Sequence, residues 1–280
     1  MPSVLLTGAG RGIGQATALK LAASGWEVFA GVRRAEDGEA LVAASPAGRI
    51  TPLLLDVTDA AQIDALDVTL PERVDALVNN AGIVVPGPVE GVTVEDLRRQ
   101  LEVNVVGQVA VTQALLPRLR ASRGRVVFVS SVGGRVATPM MGPYSASKFA
   151  LEGLADSLRI ELRRWGIRVV LIEPGAIDTD LWRLAPDTAR DVELALAPEL
   201  RELYAEHLSG IKKTIPRVQK QAAPAARVAD TIERALSTPR PRARYLVGTD
   251  ARVQALIGSA LPTRAADAAI ARFTGTPSAR

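Results

Sequence analysis

The chain has 280 residues, 48% hydrophobic, 23% charged and only 4% aromatic, with 23 Gly and 18 Pro; this is the composition of a globular protein and excludes a disordered or fibrous chain. The net charge of +4 comes from 29 Arg and 5 Lys interleaved with 30 acids, a solvated surface and not the basic stripe that binds nucleic acid. With no Cys and a single His, His207, disulfides and thiol chemistry are excluded, and neither a Ser/His triad nor a metal site is expected.

Val4-Leu5-Leu6 is a short apolar run, followed by Thr7-Gly8-Ala9-Gly10-Arg11-Gly12-Ile13-Gly14 and then by helical periodicity through Ala16, Leu19, Leu21 and Ala22. Strand, glycine turn and helix in that order make a phosphate-binding turn. Glycines let the backbone approach a pyrophosphate, and the helix N-terminus offers free N–H groups. The spacing Gly8-x-x-x-Gly12-x-Gly14 departs from the usual G-x-G-x-x-G. Trp26 to Val32 reads as a second strand ending in Arg33-Arg34. At this strand end of a dinucleotide fold a carboxylate holds the ribose 2′-hydroxyl, whereas an Arg accommodates a 2′-phosphate. Val32 stands at the acidic position with Arg33 next and Arg11 in the turn, so NADP(H) is expected in preference to NAD(H).

Arg49 to Leu55 reads as a third strand ending in Asp56-Val57, and Asp59 to Leu70 as a helix capped by Thr58 or Asp59. Val74 to Val78 is nearly all apolar, which suits a strand buried on both faces, and it ends in Asn79-Asn80-Ala81-Gly82. Asn79 either bridges neighbouring strands or touches a nucleotide; Asn80 is expected to touch it. A helical segment from Thr93 to about Arg120 carries Asn104, an amide among apolar residues that needs a partner. Arg125 to Val129 is a fifth strand ending in Ser130-Ser131, then comes a loop with Met140, Met141 and Pro143, and then a helix opening with Tyr144. Ile167 to Ile172 is a sixth strand, closing in Glu173-Pro174-Gly175. Strands alternating with helices imply an α/β fold, a Rossmann-type doubly wound parallel sheet in a single domain, residues 1–280.

After Pro174 the pattern changes. Asp178 to Pro216 reads as an irregular, partly helical lid over substrate, Val228 to Leu236 as a helix, Arg244 to Val247 as a last strand, and Ala251 to Phe273 as a helical tail. Arg240, Arg242 and Arg244 read as solvated loop charge. No apolar run approaches the roughly 18 residues of a membrane span, and no basic leader precedes the glycine motif, so a cytoplasmic location is expected.

Tyr144-Ser145-Ala146-Ser147-Lys148 places a phenol and an ammonium four positions apart, on one face of a helix. A phenol is a poor acid or base at neutral pH, and a fixed ammonium one turn away would lower its pKa by stabilising the phenolate. The pair reads as a proton donor with its tuner.

The ordered set Thr7-Gly8-x-x-x-Gly12-x-Gly14, Asp56-Val57, Asn79-Asn80-Ala81-Gly82, Asn104, Ser131, Tyr144-x-x-x-Lys148 and Pro174-Gly175-Ala176-Ile177-Asp178-Thr179 resembles the short-chain dehydrogenase/reductase family. Ser131 is the matching serine, thirteen residues before Tyr144, and the flanking residues resemble the branch acting on steroids and retinoids. The resemblance implies that Tyr144 is the general acid and base, that Ser131 bonds the substrate oxygen, that Lys148 binds the nicotinamide ribose and lowers the Tyr144 pKa, and that Asn104 holds a water in a proton relay. It implies that Gly8, Arg11, Gly12, Ile13, Gly14, Arg33, Asp56, Val57, Asn80, Ala81, Gly82, Tyr144, Lys148, Pro174, Gly175, Ile177 and Thr179 line NADP(H), with Asp56 meeting the adenine. A homodimer or homotetramer is implied too. The expected activity is an oxidoreductase interconverting an alcohol and its ketone or aldehyde on an apolar small molecule, with Val85, Pro86, Met140, Met141, Leu181 and Trp182 as pocket walls. The alternatives are a non-catalytic dinucleotide sensor or scaffold of the same fold, and a nucleotide-sugar epimerase or dehydratase.

Overall fold

The computed structural model describes residues 1–45 and 48–277. The chain alternates β1 (Ser3–Leu6), α1 (Gly12–Ala23), β2 (Glu27–Val32), α2 (Ala35–Ala43), β3 (Ile50–Leu54), α3 (Ala60–Asp64), α4 (Leu66–Thr69), β4 (Ala76–Asn79), α5 (Val94–Leu101), a π-turn (Glu102–Val106), α6 (Gly107–Ser122), β5 (Arg125–Val129), α7 (Gly142–Glu161) and β6 (Arg168–Pro174). Then follow β7 (Ile177–Asp178), α8 (Asp180–Arg183), α9 (Ala185–Ala195), α10 (Pro198–Leu203), α11 (Ala205–Gln221), β8 (Ala223–Pro224), α12 (Ala225–Ser237), β9 (Arg244–Val247), α13 (Thr249–Ala260) and α14 (Thr263–Thr274).

Among the described residues seven strands form one parallel sheet in the order β3-β2-β1-β4-β5-β6-β9. The central strands β1, β4, β5 and β6 are largely apolar because both faces are covered, while the edge strands β3 and β9 carry exposed or polar positions. Leu5, Leu77, Phe128 and Leu171 belong to the core shared with Val111 and Leu115 of α6 and Leu151 of α7. Their neighbours Val4, Leu6, Val127 and Ile172 belong to the opposite core, with Ala18 and Leu21 of α1 and Val228 and Ile232 of α12. Strand order reverses between β1 and β4. In open α/β sheets the crevice at the carboxyl ends of the strands beside such a reversal is where ligands bind, and it is there that the glycine turn and Asn79-Asn80-Ala81-Gly82 emerge.

Several elements differ from expectation for local reasons. The Asp59–Leu70 helix breaks at Ala65 into α3 and α4, and Asp59 is its cap, Oδ1 accepting from the Ala61 and Gln62 amides at 2.9 and 3.2 Å. The Thr93–Arg120 segment is interrupted by the π-turn that carries Asn104. The lid is more regular than its prolines suggest: α9 and α10 carry Pro in the first turn, where no N–H is needed, and α11 continues past Pro216. The tail breaks at Leu261-Pro262 into α13 and α14. The two-residue pairing of β7 with β8 (Ile177↔Ala223, Asp178↔Pro224) joins the entry and exit of the lid, so the segment between them rises from one point. Among the described residues no helix is long and apolar enough to cross a membrane.

Candidate active site

The glycine turn is built by backbone conformation. Gly8 and Gly12 have φ of 65° and 56°, values that an L side chain rarely adopts. Gly14 packs so closely that a Cβ there would overlap the Gly8 carbonyl oxygen and lie 2.7 Å from Asn80 Nδ2. No side chain caps the N-terminus of α1, where Arg11 stands at the cap position; its first-turn N–H groups are those that receive a phosphate in this kind of turn. A Cβ on Gly12 would lie 3.2 Å from the Thr179 methyl, so the turn and Thr179 face each other across a narrow gap. Uncapped N–H groups, a glycine cradle and the exposed cations Arg11 and Arg33 fit a dinucleotide.

Thr7 and Asn80 lock this turn to the end of β4. Thr7 Oγ1 accepts from the Asn80 and Ala81 amides, both at 3.0 Å, and Asn80 Nδ2 donates to the Thr7 and Gly8 carbonyls at 3.1 and 3.0 Å. Asn80 therefore shapes the turn with the amide group expected to meet the nucleotide. Asn79 is fully buried and donates to Thr112 Oγ1 of α6 at 2.8 Å, so its amide ties β4 to a helix and not to a neighbouring strand. The Ala81 carbonyl accepts from Gln108 Nε2 at 2.7 Å, and Gly82 is exposed.

Asn104 is fully buried. Its Oδ1 accepts from the Ile83 amide at 2.8 Å, and Nδ2 donates to the Ile83 carbonyl at 3.0 Å and to Ser147 Oγ at 3.1 Å. The side chain clamps the 83–91 loop to α7, so any contact it makes with a relay water falls to its backbone. A π-turn at this point is consistent with such a role, since π-turns recur at functional sites.

Ser131, Tyr144 and Lys148 converge at the carboxyl end of β5. Ser131 caps a 3₁₀ turn (Val132–Gly134), its Oγ accepting from the Gly133 amide at 3.0 Å and reaching the Pro174 carbonyl at 3.4 Å. Gly133 allows this approach: a Cβ there would lie 3.2 Å from the Tyr144 ring and 3.4 Å from Ser131 Oγ. Lys148 is 5% exposed and donates from Nζ to the Val129 carbonyl at 2.8 Å, with Nζ 5.7 Å from the Tyr144 ring centroid. Burial pushes the Tyr144 phenol up, and a hydrogen bond with Ser131 pulls it down. Burial pulls the Lys148 ammonium down to about 8, opposed by Glu152, because an ammonium away from water loses its hydration.

At the adenosine end, Arg11, Arg33 and Arg34 are exposed. Asp37 in the first turn of α2 was missed: Arg34 donates to it bidentately, Nε at 3.1 Å and Nη2 at 2.6 Å, and a Cβ on Gly10 would lie 3.1 Å from its Oδ2. The Arg34 hydrogen bond holds the Asp37 carboxyl below its ordinary value, with Arg11 and Arg33 adding to the effect. Asp56 folds into its own turn, Oδ1 accepting from the Thr58 amide and hydroxyl at 2.9 and 2.8 Å, while Val57 is buried against Gly107.

The Pro174–Thr179 turn has a second unforeseen partner. Asp250 Oδ2 accepts from the Ala176 amide at 2.7 Å, and a Cβ on Gly175 would overlap that carboxylate. Only the fold brings α13 here. Ile177 is buried. Leu196, between α9 and α10, is buried against Gly91 and Tyr204 donates to Glu90 Oε2 at 3.0 Å, while Gly87 pairs with Met141 and donates to the Met140 carbonyl at 2.8 Å. Of the expected pocket walls, Val85 is a buried core residue whose amide donates to Gln100, Leu181 is half exposed, and Pro86, Met140, Met141 and Trp182 are partly exposed. Arg244, expected as loop charge, starts β9 and is bonded to Glu152 and Asp156, because pairing β9 with β6 carries it over α7.

The family model for short chain dehydrogenases matches residues 2–189. An NADPH-dependent 3-dehydrocapnine reductase of Ornithobacterium rhinotracheale is 37% identical over 88% of this chain and 88% of its own length. Retinol dehydrogenase 5 of Mus musculus is 35% identical over 95% and 87%. A short chain dehydrogenase from Burkholderia cenocepacia, solved in complex with NADP, superposes with a TM-score of 0.73 at 27% identity, covering 97% of each chain. Domain-wide similarity of this kind places the chain in the short-chain dehydrogenase/reductase family, in its steroid/retinoid type, as an NAD(P)-dependent enzyme acting on CH–OH groups.

Proposed function

We propose that the enzyme interconverts an alcohol and its ketone or aldehyde with NADP(H), on a largely apolar substrate, with Tyr144 as general acid in reduction and general base in oxidation. The observation that carries this is the meeting of Ser131, Tyr144 and Lys148 beside the Pro174 carbonyl. When bound, the nicotinamide supplies or accepts the hydride. Ser131 Oγ bonds the substrate oxygen and stabilises the charge that develops on it. The Tyr144 hydroxyl gives its proton to that oxygen in reduction. Lys148 holds the nicotinamide ribose hydroxyls and stabilises the phenolate left behind, and Asn104 holds, through its backbone, the water that returns the proton.

Gly8, Gly12, Ile13 and Gly14 would hold the pyrophosphate, Asp56, Val57, Asn80, Ala81 and Gly82 would line the adenosine side, and Pro174, Gly175, Ile177 and Thr179 the nicotinamide side. Arg11 and Arg33 would meet a 2′-phosphate, which the NADPH-dependent relative and the NADP-bound neighbour support. Apolar lid contacts, and relatives named for retinol, favour an apolar substrate. The test is a panel of carbonyls and alcohols, retinoid, steroid and short aliphatic, followed by nicotinamide absorbance with NADPH and NADH in parallel. Turnover of apolar members with NADPH is expected; binding of the dinucleotide without turnover of any member would overturn the reading.

A further inference from the structure

Behind the catalytic face lies a second cluster of charges that the reaction as described does not use. Arg244 Nε donates to Glu152 Oε2 at 3.1 Å, its Nη2 donates to Asp156 Oδ2 at 2.7 Å, and Nε also lies 3.1 Å from Glu173 Oε1. Arg135, four residues after Ser131, reaches the same glutamate, Nη2 donating to Oε1 at 3.0 Å and Nε lying 2.7 Å from Oε2. The Glu173 side chain is fully buried and that of Glu152 is 10% exposed. Asp156 also pairs with Arg159 toward the surface. Three carboxylates thus meet two inner guanidinium groups. Lys148, a buried cation, stands one turn before Glu152 on the same helix and therefore on the same face. Gly134 fixes both against the Ser131 turn: a Cβ on it would lie 2.9 Å from the Lys148 carbonyl oxygen and 3.0 Å from Glu152 Cγ.

We propose that Glu152 is a positioning residue for the reaction: its carboxylate, pinned by Arg244, keeps the buried Lys148 ammonium charged, and the Arg135–Glu173–Arg244 chain holds the Glu152 side chain in place. An ammonium taken out of water without an opposing charge neutralises itself by losing its proton. Glu152 is the group that opposes this at Lys148, whose pKa burial has already brought to about 8. The titratable and charged groups facing the pair are Tyr144, Glu152 and Asp156 from α7, Arg135 from the turn after Ser131, Glu173 from β6 and Arg244 from β9. Burial and then Glu152 push the Glu173 carboxyl up, and Arg135 and Arg244 pull it part of the way back. The same chain ties the Ser131 turn, α7 and β6 together. Side-chain geometry at the reaction centre and the charge of Lys148 therefore depend on one network.

This rests on Lys148 acting as a cation in the proposed reaction, and its test does not. The sequence has five lysines, so protein labelled with ¹³C at lysine Cε gives few resonances, and Lys148→Arg assigns the one that matters. The wild-type Lys148 signal should titrate near pH 8. In Glu152→Gln the midpoint should fall by about one pH unit, taking the charged fraction at about pH 7.5 from roughly three-quarters to roughly one-quarter. The alkaline limb of kcat/KM should move down with it. Glu152→Asp, which withdraws the carboxylate by one methylene, should show a smaller fall and serves if Glu152→Gln does not fold. An unchanged Lys148 midpoint in either folded variant overturns the proposal, even if stability drops. If the midpoint falls while Tyr144→Phe keeps full turnover, the role of Glu152 stands and the catalytic reading fails.

Discussion

Gly14→Ala tests the close-packed turn on which cofactor binding depends. The added Cβ overlaps the Gly8 carbonyl oxygen and sits 2.7 Å from Asn80 Nδ2, and the obstacle is backbone on one side and an amide held by two hydrogen bonds on the other. Relief requires α1 to move away from the turn or Asn80 to release Thr7 and Gly8. Each hydrogen bond lost costs about 1 kcal/mol, and overpacking costs about 1–3 kcal/mol. The higher helix propensity of Ala returns about 1 kcal/mol, so the turn is weakened by about 2–4 kcal/mol. Because about 1.4 kcal/mol is a factor of ten, dinucleotide affinity should fall at least about tenfold by calorimetric titration, and the thermal midpoint should drop. Gly153→Ala is the internal control. It lies on α7 with nothing within 4 Å of an added Cβ, so the same chemical change should stabilise by about 0.5–1 kcal/mol. Wild-type affinity and melting in Gly14→Ala would refute the packing described.

Three other perturbations separate the remaining parts of the site. Arg33→Ala should weaken NADPH binding more than NADH binding, whereas Asp37→Asn, which removes the carboxylate facing Arg11, Arg33 and Arg34, should strengthen NADPH binding on the order of three- to tenfold; unchanged ratios in both would remove the 2′-phosphate assignment. Asn104→Ala leaves the buried Ile83 amide without its side-chain acceptor, while the Ile83 carbonyl keeps Gln100 Nε2, and with the cavity it should destabilise by about 2–4 kcal/mol in denaturant melts; a loss of turnover with stability intact would contradict its structural role. Lys148 has a folded pKa of about 8 against an ordinary value of 10.5, so between those values the unfolded chain binds more protons and folding stability rises with pH, by up to about 1.4 kcal/mol per unit. Denaturant melts at several pH values in that window should therefore show a steeper rise in the wild type than in Lys148→Met, and parallel slopes would contradict the depressed value.

What could be read in advance follows from how far each signal travels along the chain. The bounds of β5, Arg125–Val129, were legible because a strand buried on both faces is written as a local apolar run. The glycine turn and the Tyr144/Lys148 spacing were legible because each is a local backbone or helical-face requirement. The pairing of β7 with β8 was not, since two residues at each end of a lid carry no periodicity. Asp250 beneath Gly175, and Arg244 within the Glu152 and Glu173 cluster, are contacts made only once α13 and β9 are set beside β6. The burial of Lys148 and its bond to the Val129 carbonyl were not legible either, since spacing puts Lys148 one turn from Tyr144 and says nothing about burial.

The central claim is that Tyr144 moves the proton. Tyr144→Phe removes the hydroxyl and keeps the ring against Gly133, so the fold and the cofactor cradle should survive. With NADPH affinity confirmed unchanged by calorimetry, turnover of a substrate found in the carbonyl panel should fall by at least about 10²-fold, the usual size of general acid–base catalysis. Turnover within a few-fold of wild type, with the cofactor bound normally, would contradict the account.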